Sequence, residues 1–125
     1  MSKIRIAQIG VGHDHSDLLT SLIRQTDIFD FVGYCVLEGE EEHFELVREQ
    51  FFSNAKRLSL EEIINDPELN AVAIETFEEN LTKYARMALE RGLHVHMDKP
   101  GSVDHAEFEE MMRFAQKMNL VHVSL

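Results

Sequence analysis

The sequence predicts a doubly wound α/β domain, in which a parallel sheet is covered by helices on both faces. Short β-rich runs alternate with amphipathic helical segments along the whole chain of 125 residues. The connections between them are short, which favours parallel strands joined by right-handed helical crossovers. No low-complexity tract, internal repeat or Gly/Ser-rich linker divides the chain, so a single domain is expected over residues 1–125.

The predicted strands are apolar runs rich in β-branched residues, and the first of them ends in glycine. In chain order they are KIRIAQIG (3–10), FVGYCV (31–36), NAVAIET (70–76), LHVHM (93–97) and LVHVSL (120–125). In doubly wound sheets, ligands bind beyond the carboxyl ends of the strands, at the point where the strand order reverses. Functional residues are therefore expected just after these runs.

Helices are predicted between the strands. Capping boxes start two of them, Ser59 with Glu62 and Asp104 with Glu107, and Gly92 stands where a helix C-cap belongs. The apolar residues at helical spacing give four predicted buried faces: Leu18, Leu19, Leu22 and Ile23; Phe44, Val47 and Phe51; Leu81, Tyr84, Ala85, Ala88 and Leu89; and Phe108, Met111, Met112 and Ala115.

Composition narrows the possible partners. Asp and Glu outnumber Lys and Arg by 23 to 12, and the formal charge of −11 would repel nucleic acid and anionic lipid surfaces. No apolar run approaches the roughly 18 residues that a membrane span needs. The single cysteine, Cys35, has no partner for an internal disulfide. We therefore expect no nucleic-acid or membrane partner and a cytoplasmic location.

The turn after the first strand is the first candidate site. Gly10 and Gly12 stand where a strand-to-helix turn lets the backbone approach a pyrophosphate, with the amides around His13 and His15 at the start of the helix. His15 occupies the place of the third glycine of the dinucleotide fingerprint. A plain strand-to-helix turn would carry the same two glycines, so the pattern alone leaves both interpretations open.

A second stretch, GLHVHMDKPGSVDHAEF, resembles the nucleotide-binding domain of the Gfo/Idh/MocA oxidoreductases, in which a strand ends in Glu-Lys-Pro. Here the triplet is Asp98-Lys99-Pro100. The resemblance covers the whole chain and implies a Rossmann-like NAD(P)-binding domain, with the family's C-terminal substrate domain absent. The parent enzyme that it implies is a dehydrogenase that transfers hydride between the cofactor and a sugar, inositol or related polyol. The resemblance is also compatible with a homo-oligomer. The chain alone is expected to be inactive.

The resemblance assigns roles to residues near the strand ends. Lys99 is the expected catalytic residue: it would bond the substrate hydroxyl and, if burial lowers its pKa, take the proton as hydride leaves. Pro100 would hold Lys99 extended beside the nicotinamide. Thr76 matches the first residue of the family's Thr-Pro-Asn, whereas Phe77 does not match the second. An exposed surface lysine is the alternative for Lys99.

The end of the second strand departs from the family pattern. Val36 stands where an acidic residue commonly binds the adenosine ribose. Glu38 would reach the ribose only if the loop bends back, and otherwise it is a solvated member of the acidic run. No arginine or lysine stands near this strand end in the sequence to receive a 2′-phosphate, so NAD is favoured over NADP.

Two other classes of function remain open. His13 and His15 flank Asp14, and His94 and His96 alternate toward Asp98, so a metal site formed by both groups is conceivable. The ligand spacing is not that of a metal motif, and we predict no metal. A non-catalytic ligand-binding or regulatory protein that kept the fold but lost cofactor contacts is the main rival to the oxidoreductase.

Overall fold

The structure, a computed structural model, describes residues 4–12, 29–52, 55–77, 80–97 and 122–124, together with Arg113 and Lys117. The elements within these residues are β1 (Ile4–Ile9), β2 (Phe29–Cys35), α1 (Glu41–Phe51), α2 (Leu60–Ile64), β3 (Ala71–Ile74), α3 (Leu81–Glu90), β4 (His94–Met97) and β5 (His122–Ser124). The predicted helices over Leu18–Ile23 and Phe108–Ala115 lie outside the described residues.

All five strands pair in parallel, in the order β2-β1-β3-β4-β5. The chain runs outward from β1 to β2, then returns past β1 to β3 and continues in the opposite direction. This reversal places a topological switch point between β1 and β3, where ligands bind in sheets of this kind. The prediction of a doubly wound parallel sheet is confirmed.

Two strand boundaries in the structure differ from the predicted ones, at the start of β2 and at the end of β3. β2 begins at Phe29, two residues before its predicted start, because Phe29 pairs with Ile4 and Asp30 forms a 2.9 Å ion pair with Arg5. β3 ends at Ile74, before the predicted end at Thr76. The outer side of β2 is covered at one point by Arg57, which forms a parallel bridge with Tyr34.

Two apolar layers lie against the sheet. The larger one fills the space between the sheet and helices α2 and α3, and its fully buried members include Ile9, Ile63, Val72, Ile74 and Leu89. The other layer is largely aromatic and lies between β2 and α1: Tyr34, Phe44 and Phe52 have ring centroids 4.6–5.7 Å apart. Burial of these side chains is the main force that holds the helices on the sheet.

The helix signals in the sequence are largely confirmed where the structure describes them. Ser59 and Glu62 form the predicted capping box, with hydrogen bonds of 3.1 and 3.0 Å in the two directions. The buried face of α3 includes Leu81, Ala85, Ala88 and Leu89 as predicted, adds Thr82, and leaves Tyr84 only half-buried. Phe44 is buried, and the side chains of Val47 and Phe51 lie outside the described residues.

Within the described part of the chain, none of the helices combines the length and the apolar character that crossing a membrane requires.

Candidate functional site

The carboxyl ends of β1, β2 and β3 meet at the switch point, and Gly10 holds them together. Its amide donates a 3.1 Å hydrogen bond to the Cys35 carbonyl at the end of β2. Its φ of +93° lies in the region that favours glycine, and a Cβ added there would lie 2.8 Å from the Cβ of Thr76. The turn can therefore approach β3 this closely only because residue 10 has no side chain.

A buried carboxylate, that of Glu40, lies inside this turn with no exposed surface. One oxygen, Oε1, accepts hydrogen bonds from the amides of Leu37 at 2.7 Å and Val11 at 3.1 Å. The other, Oε2, accepts from the amide of Gly12 at 2.8 Å and from the Thr76 hydroxyl at 2.8 Å. A carboxylate offers about four lone-pair positions, so these four donors saturate it.

The local sequence explains why Glu40 points inward. Residues 37–40 form a tight turn in which the Glu40 amide donates to the Leu37 carbonyl at 3.0 Å, and Gly39 supplies a φ of +89°. The Glu40 carbonyl then accepts from the Phe44 amide at 2.9 Å, so Glu40 is the N-cap residue that precedes α1. Its side chain therefore lies at the N-terminal end of the helix.

The space in front of Gly12 is filled by two side chains. A Cβ added at Gly12 would lie 2.6 Å from Oε2 of Glu40 and 2.9 Å from Cδ1 and Cε1 of Phe77. The same ring approaches Gly39, whose added Cβ would lie 3.9 Å from Cε2 of Phe77. In dinucleotide folds the glycine at this position lets the backbone approach the pyrophosphate. Here that position is taken by the Glu40 carboxylate, which binds the Val11 and Gly12 amides, and by the Phe77 ring.

The structure brings together three of the predicted cofactor-binding residues: Gly10, Gly12 and Thr76 all touch the Glu40 carboxylate or the turn around it. Glu38 is exposed in the turn that precedes Glu40. His13, His15, Lys99 and Pro100 lie outside the described residues, so their predicted roles stay predictions.

Glu40 is the site residue that sequence reasoning missed. It lies in the acidic run from Glu38 to Glu42, where every carboxylate is expected to be solvated. The available signal was its place directly after Gly39 and at the start of a helix, a position that turns a side chain back toward the loop.

A cation also lies closer to the end of β2 than the sequence suggested. The expectation of no basic residue near this strand end is wrong, because the bridge to Tyr34 brings Arg57 alongside β2. Its guanidinium bonds the carboxylate of Glu41 and lies 5.1 Å from the centre of the Phe44 ring. Both members of this ion pair are well exposed, so solvent screens it.

Two further sets of side chains bear on the predicted chemistry: Cys35 at the carboxyl end of β2, and the histidines of β4, of which His94 begins the strand at the opposite edge of the sheet. Burial raises the pKa of the Cys35 thiol to about 11, so the thiol stays protonated at neutral pH. On β4, His94 is exposed and His96 half-buried. Among the described residues, no three His, Cys, Asp or Glu side chains are grouped as metal ligands would be. His13, Asp14, His15 and Asp98 lie outside that search.

Comparison with known protein families decides the relationship. Residues 4–125 match the family described as "Oxidoreductase family, NAD-binding Rossmann fold", which is the Gfo/Idh/MocA family. The chain belongs to the Gfo/Idh/MocA oxidoreductase family. A search of curated protein sequences found no match.

Solved structures of this Gfo/Idh/MocA fold resemble the chain over nearly all of its length. UDP-N-acetylglucosamine 3-dehydrogenase GnnA from Acidithiobacillus ferrooxidans is 25% identical with a TM-score of 0.72, covering 99% of this chain and 38% of that one. The WlbA dehydrogenase of Chromobacterium violaceum, in complex with NADH and UDP-GlcNAcA, is 20% identical with a TM-score of 0.78, covering 98% and 35%. Biliverdin reductase from a Synechocystis species, in complex with biliverdin and NADP+, is 19% identical with a TM-score of 0.79, covering 98% and 38%.

The last two similarities establish the fold alone. The 125 residues span little more than a third of the length of each of these proteins. What this family member shares with them is therefore the Rossmann-fold part of their length.

Proposed function

We propose that these 125 residues form the cofactor half of a dehydrogenase that passes hydride between NAD(H) and a hydroxyl-bearing carbon of a sugar, inositol or related polyol. The observation that carries the proposal is the Gly10–Gly12 turn at the switch point of a Gfo/Idh/MocA domain. Two of the similar structures are dehydrogenases whose names or ligands include a UDP-sugar, which supports a sugar-type substrate. Biliverdin reductase is a similar structure with a different substrate.

The proposed cofactor residues divide between the two ends of the dinucleotide. The nicotinamide ring, when bound, supplies the carbon that accepts the hydride. Gly10, Gly12 and Thr76 would form the wall against the pyrophosphate, with His13 and His15 at the helix start beyond it. We propose Lys99 as the proton acceptor from the substrate hydroxyl, positioned by Pro100. The exposed carboxylate of Glu38 remains our candidate for the ribose hydroxyls, because the carboxylate of Glu40 has no free lone pair.

A preference for NAD over NADP follows from the charges at the end of β2. Glu40 is buried there, and the exposed Glu41 and Glu42 begin α1. A 2′-phosphate placed beside them would be repelled. Arg57 is the cation that could receive it, but its guanidinium bonds Glu41. We therefore propose NAD as the cofactor.

Catalysis needs the substrate held at about 3–3.5 Å from the hydride carbon, which requires a wall on the substrate side of the nicotinamide. We propose that the remaining length found in the similar proteins supplies that wall. The 125 residues alone then bind NAD weakly and transfer no hydride. We also propose that the parent protein is a cytoplasmic homo-oligomer.

A second candidate function is supported by the same turn. Because Glu40 and Phe77 fill the space in front of Gly12, a regulatory protein that kept the fold without the cofactor would have this geometry too. It predicts no affinity for any pyrophosphate-containing nucleotide.

Titration calorimetry with NAD, NADP and ADP-ribose separates the two functions. The oxidoreductase proposal predicts micromolar or weaker binding of NAD and ADP-ribose, weaker binding of NADP, and no NADH production from inositol or common sugars. In the Glu41→Gln variant, Arg57 loses its ionised partner, so the affinity for NADP should rise relative to NAD. Glu61→Gln, which changes an exposed carboxylate in the first turn of α2, is the matched control. Absence of binding for all three nucleotides would favour the regulatory function.

A further inference from the structure

The space in front of Gly12 has two occupants that differ in how firmly they are held. Glu40 is fully buried, and its carboxylate accepts four hydrogen bonds from three different strand ends. Phe77 is only half-buried, and its ring lies against Gly12 and Gly39. A nucleotide that approaches Gly12 therefore meets the Glu40 side chain, which is held by hydrogen bonds, and the Phe77 ring, which is held by packing alone.

We infer that Phe77 closes the glycine turn of the ligand-free protein, and that its ring must leave the space in front of Gly12 before a pyrophosphate-containing nucleotide binds. The inference rests on the proposed function, because the pyrophosphate position is that of a dinucleotide site. Glu40 stays in place during this opening and acts as a positioning residue that fixes the amides of Val11 and Gly12.

The backbone around Phe77 allows its side chain to move while the fold stays intact. The Phe77 carbonyl accepts a 2.8 Å hydrogen bond from the Asn80 amide just before α3 begins, and Thr76 is anchored by its hydroxyl bond to Glu40. These bonds hold the main chain on both sides of the ring. Rotation about χ1 of Phe77 breaks none of them.

Closure of the turn lowers the apparent affinity for a pyrophosphate-containing nucleotide. The apparent affinity equals the affinity of the open form multiplied by the fraction of molecules in which the Phe77 ring has left the space in front of Gly12. Minor conformations of this kind are commonly populated at roughly 0.1–10%. Removing the ring should therefore strengthen pyrophosphate binding by about tenfold or more. A ligand that lacks the pyrophosphate does not enter the space in front of Gly12, and its affinity should be unchanged.

The test compares Phe77→Ala, Phe77→Leu and Phe77→Tyr with the unmodified chain, using titration calorimetry with ADP-ribose and with adenosine. We expect Phe77→Ala to bind ADP-ribose about tenfold or more tightly than the unmodified chain, with Phe77→Leu between them. Phe77→Tyr keeps a ring of the same size and should not differ. Adenosine affinity should be the same in all four proteins. Urea unfolding of each variant confirms that it is folded.

The outcomes separate this inference from the proposed function. If all folded proteins bind ADP-ribose equally, Phe77 does not close the turn, while the proposed function stands. If none of them binds ADP-ribose or NAD, the proposed function fails, and the inference fails with it. If Phe77→Ala does not fold, Phe77→Leu and the Phe77 ring resonances of the unmodified chain decide: ring signals that stay unchanged on saturation with ADP-ribose would overturn the inference.

Discussion

Replacing Gly10 by alanine should destabilise the domain more than the same replacement at Gly92. Two costs add at this position. An L-residue at the φ of +93° costs roughly 1–2 kcal/mol, by analogy with the left-handed region. The new methyl group would also lie 2.8 Å from the Cβ and 3.0 Å from the Cα and N of Thr76, and such overpacking costs roughly 1–3 kcal/mol. The expected loss is therefore about 2–5 kcal/mol of unfolding free energy.

Gly92→Ala is the matched control for this change. Gly92 has a φ of +80°, close to that of Gly10, and an added Cβ would meet nothing within 4 Å. It should lose only the backbone cost of roughly 1–2 kcal/mol. Urea unfolding of both variants, with equal m-values, gives the two losses directly. Equal losses for Gly10→Ala and Gly92→Ala would refute the close approach between the turn and Thr76.

Three further predictions test the carboxylate, a helix cap and the thiol. Glu40→Gln replaces one carboxylate oxygen by an NH2 group, which then faces two donors, either the Leu37 and Val11 amides or the Gly12 amide and the Thr76 hydroxyl. Each unsatisfied donor costs roughly 1–3 kcal/mol, so the unfolding free energy should fall by about 2–6 kcal/mol. Glu38→Gln should change it by about 0.5 kcal/mol or less, and similar losses in the two variants would argue against the buried network. Hydrogen bonds from the Ser59 amide and hydroxyl lower the pKa of Glu62. The stabilisation of the fold by the ionised Glu62 is therefore present above its unfolded pKa of about 4.3 and is lost as the pH falls through its lower folded pKa. Ser59→Ala should cost about 1 kcal/mol of unfolding free energy at neutral pH and less in acid, and a cost that does not change with pH would contradict this. The Cys35 thiol, buried and with its pKa raised to about 11, should resist iodoacetamide at pH values near 8 until urea unfolds the chain, and prompt labelling of the native protein would disprove its burial.

The sequence predicted the sheet well because each strand is a local apolar run. The positions of the strands along the chain and the N-cap of α2 at Ser59 follow from patterns only a few residues long. The early start of β2 at Phe29 was missed because it depends on pairing with Ile4, a residue 25 positions away in the chain. Local patterns carry no information about such pairing.

The candidate site could be predicted only in part. That Gly10, Gly12 and Thr76 lie near one another could be expected, because all three follow strands whose carboxyl ends meet at one edge of the sheet. The role of Glu40 depends on donors from Val11 and Thr76, which only the folded chain brings together. A single acidic residue in an acidic run gives no local sign that it is buried.

We propose that this chain binds a nicotinamide dinucleotide at the carboxyl edge of its sheet, and NMR titration with NAD is the direct test of that binding. On addition of NAD, we expect shifts in the amide signals of Val11, Gly12 and Leu37, which surround the Glu40 carboxylate. The amides of Arg5 and Asn70, which lie at the opposite edge and are joined through a 2.9 Å bond to the Asn70 side chain, should not shift. No shift at millimolar NAD, or shifts centred on Arg5 and Asn70, would contradict the account.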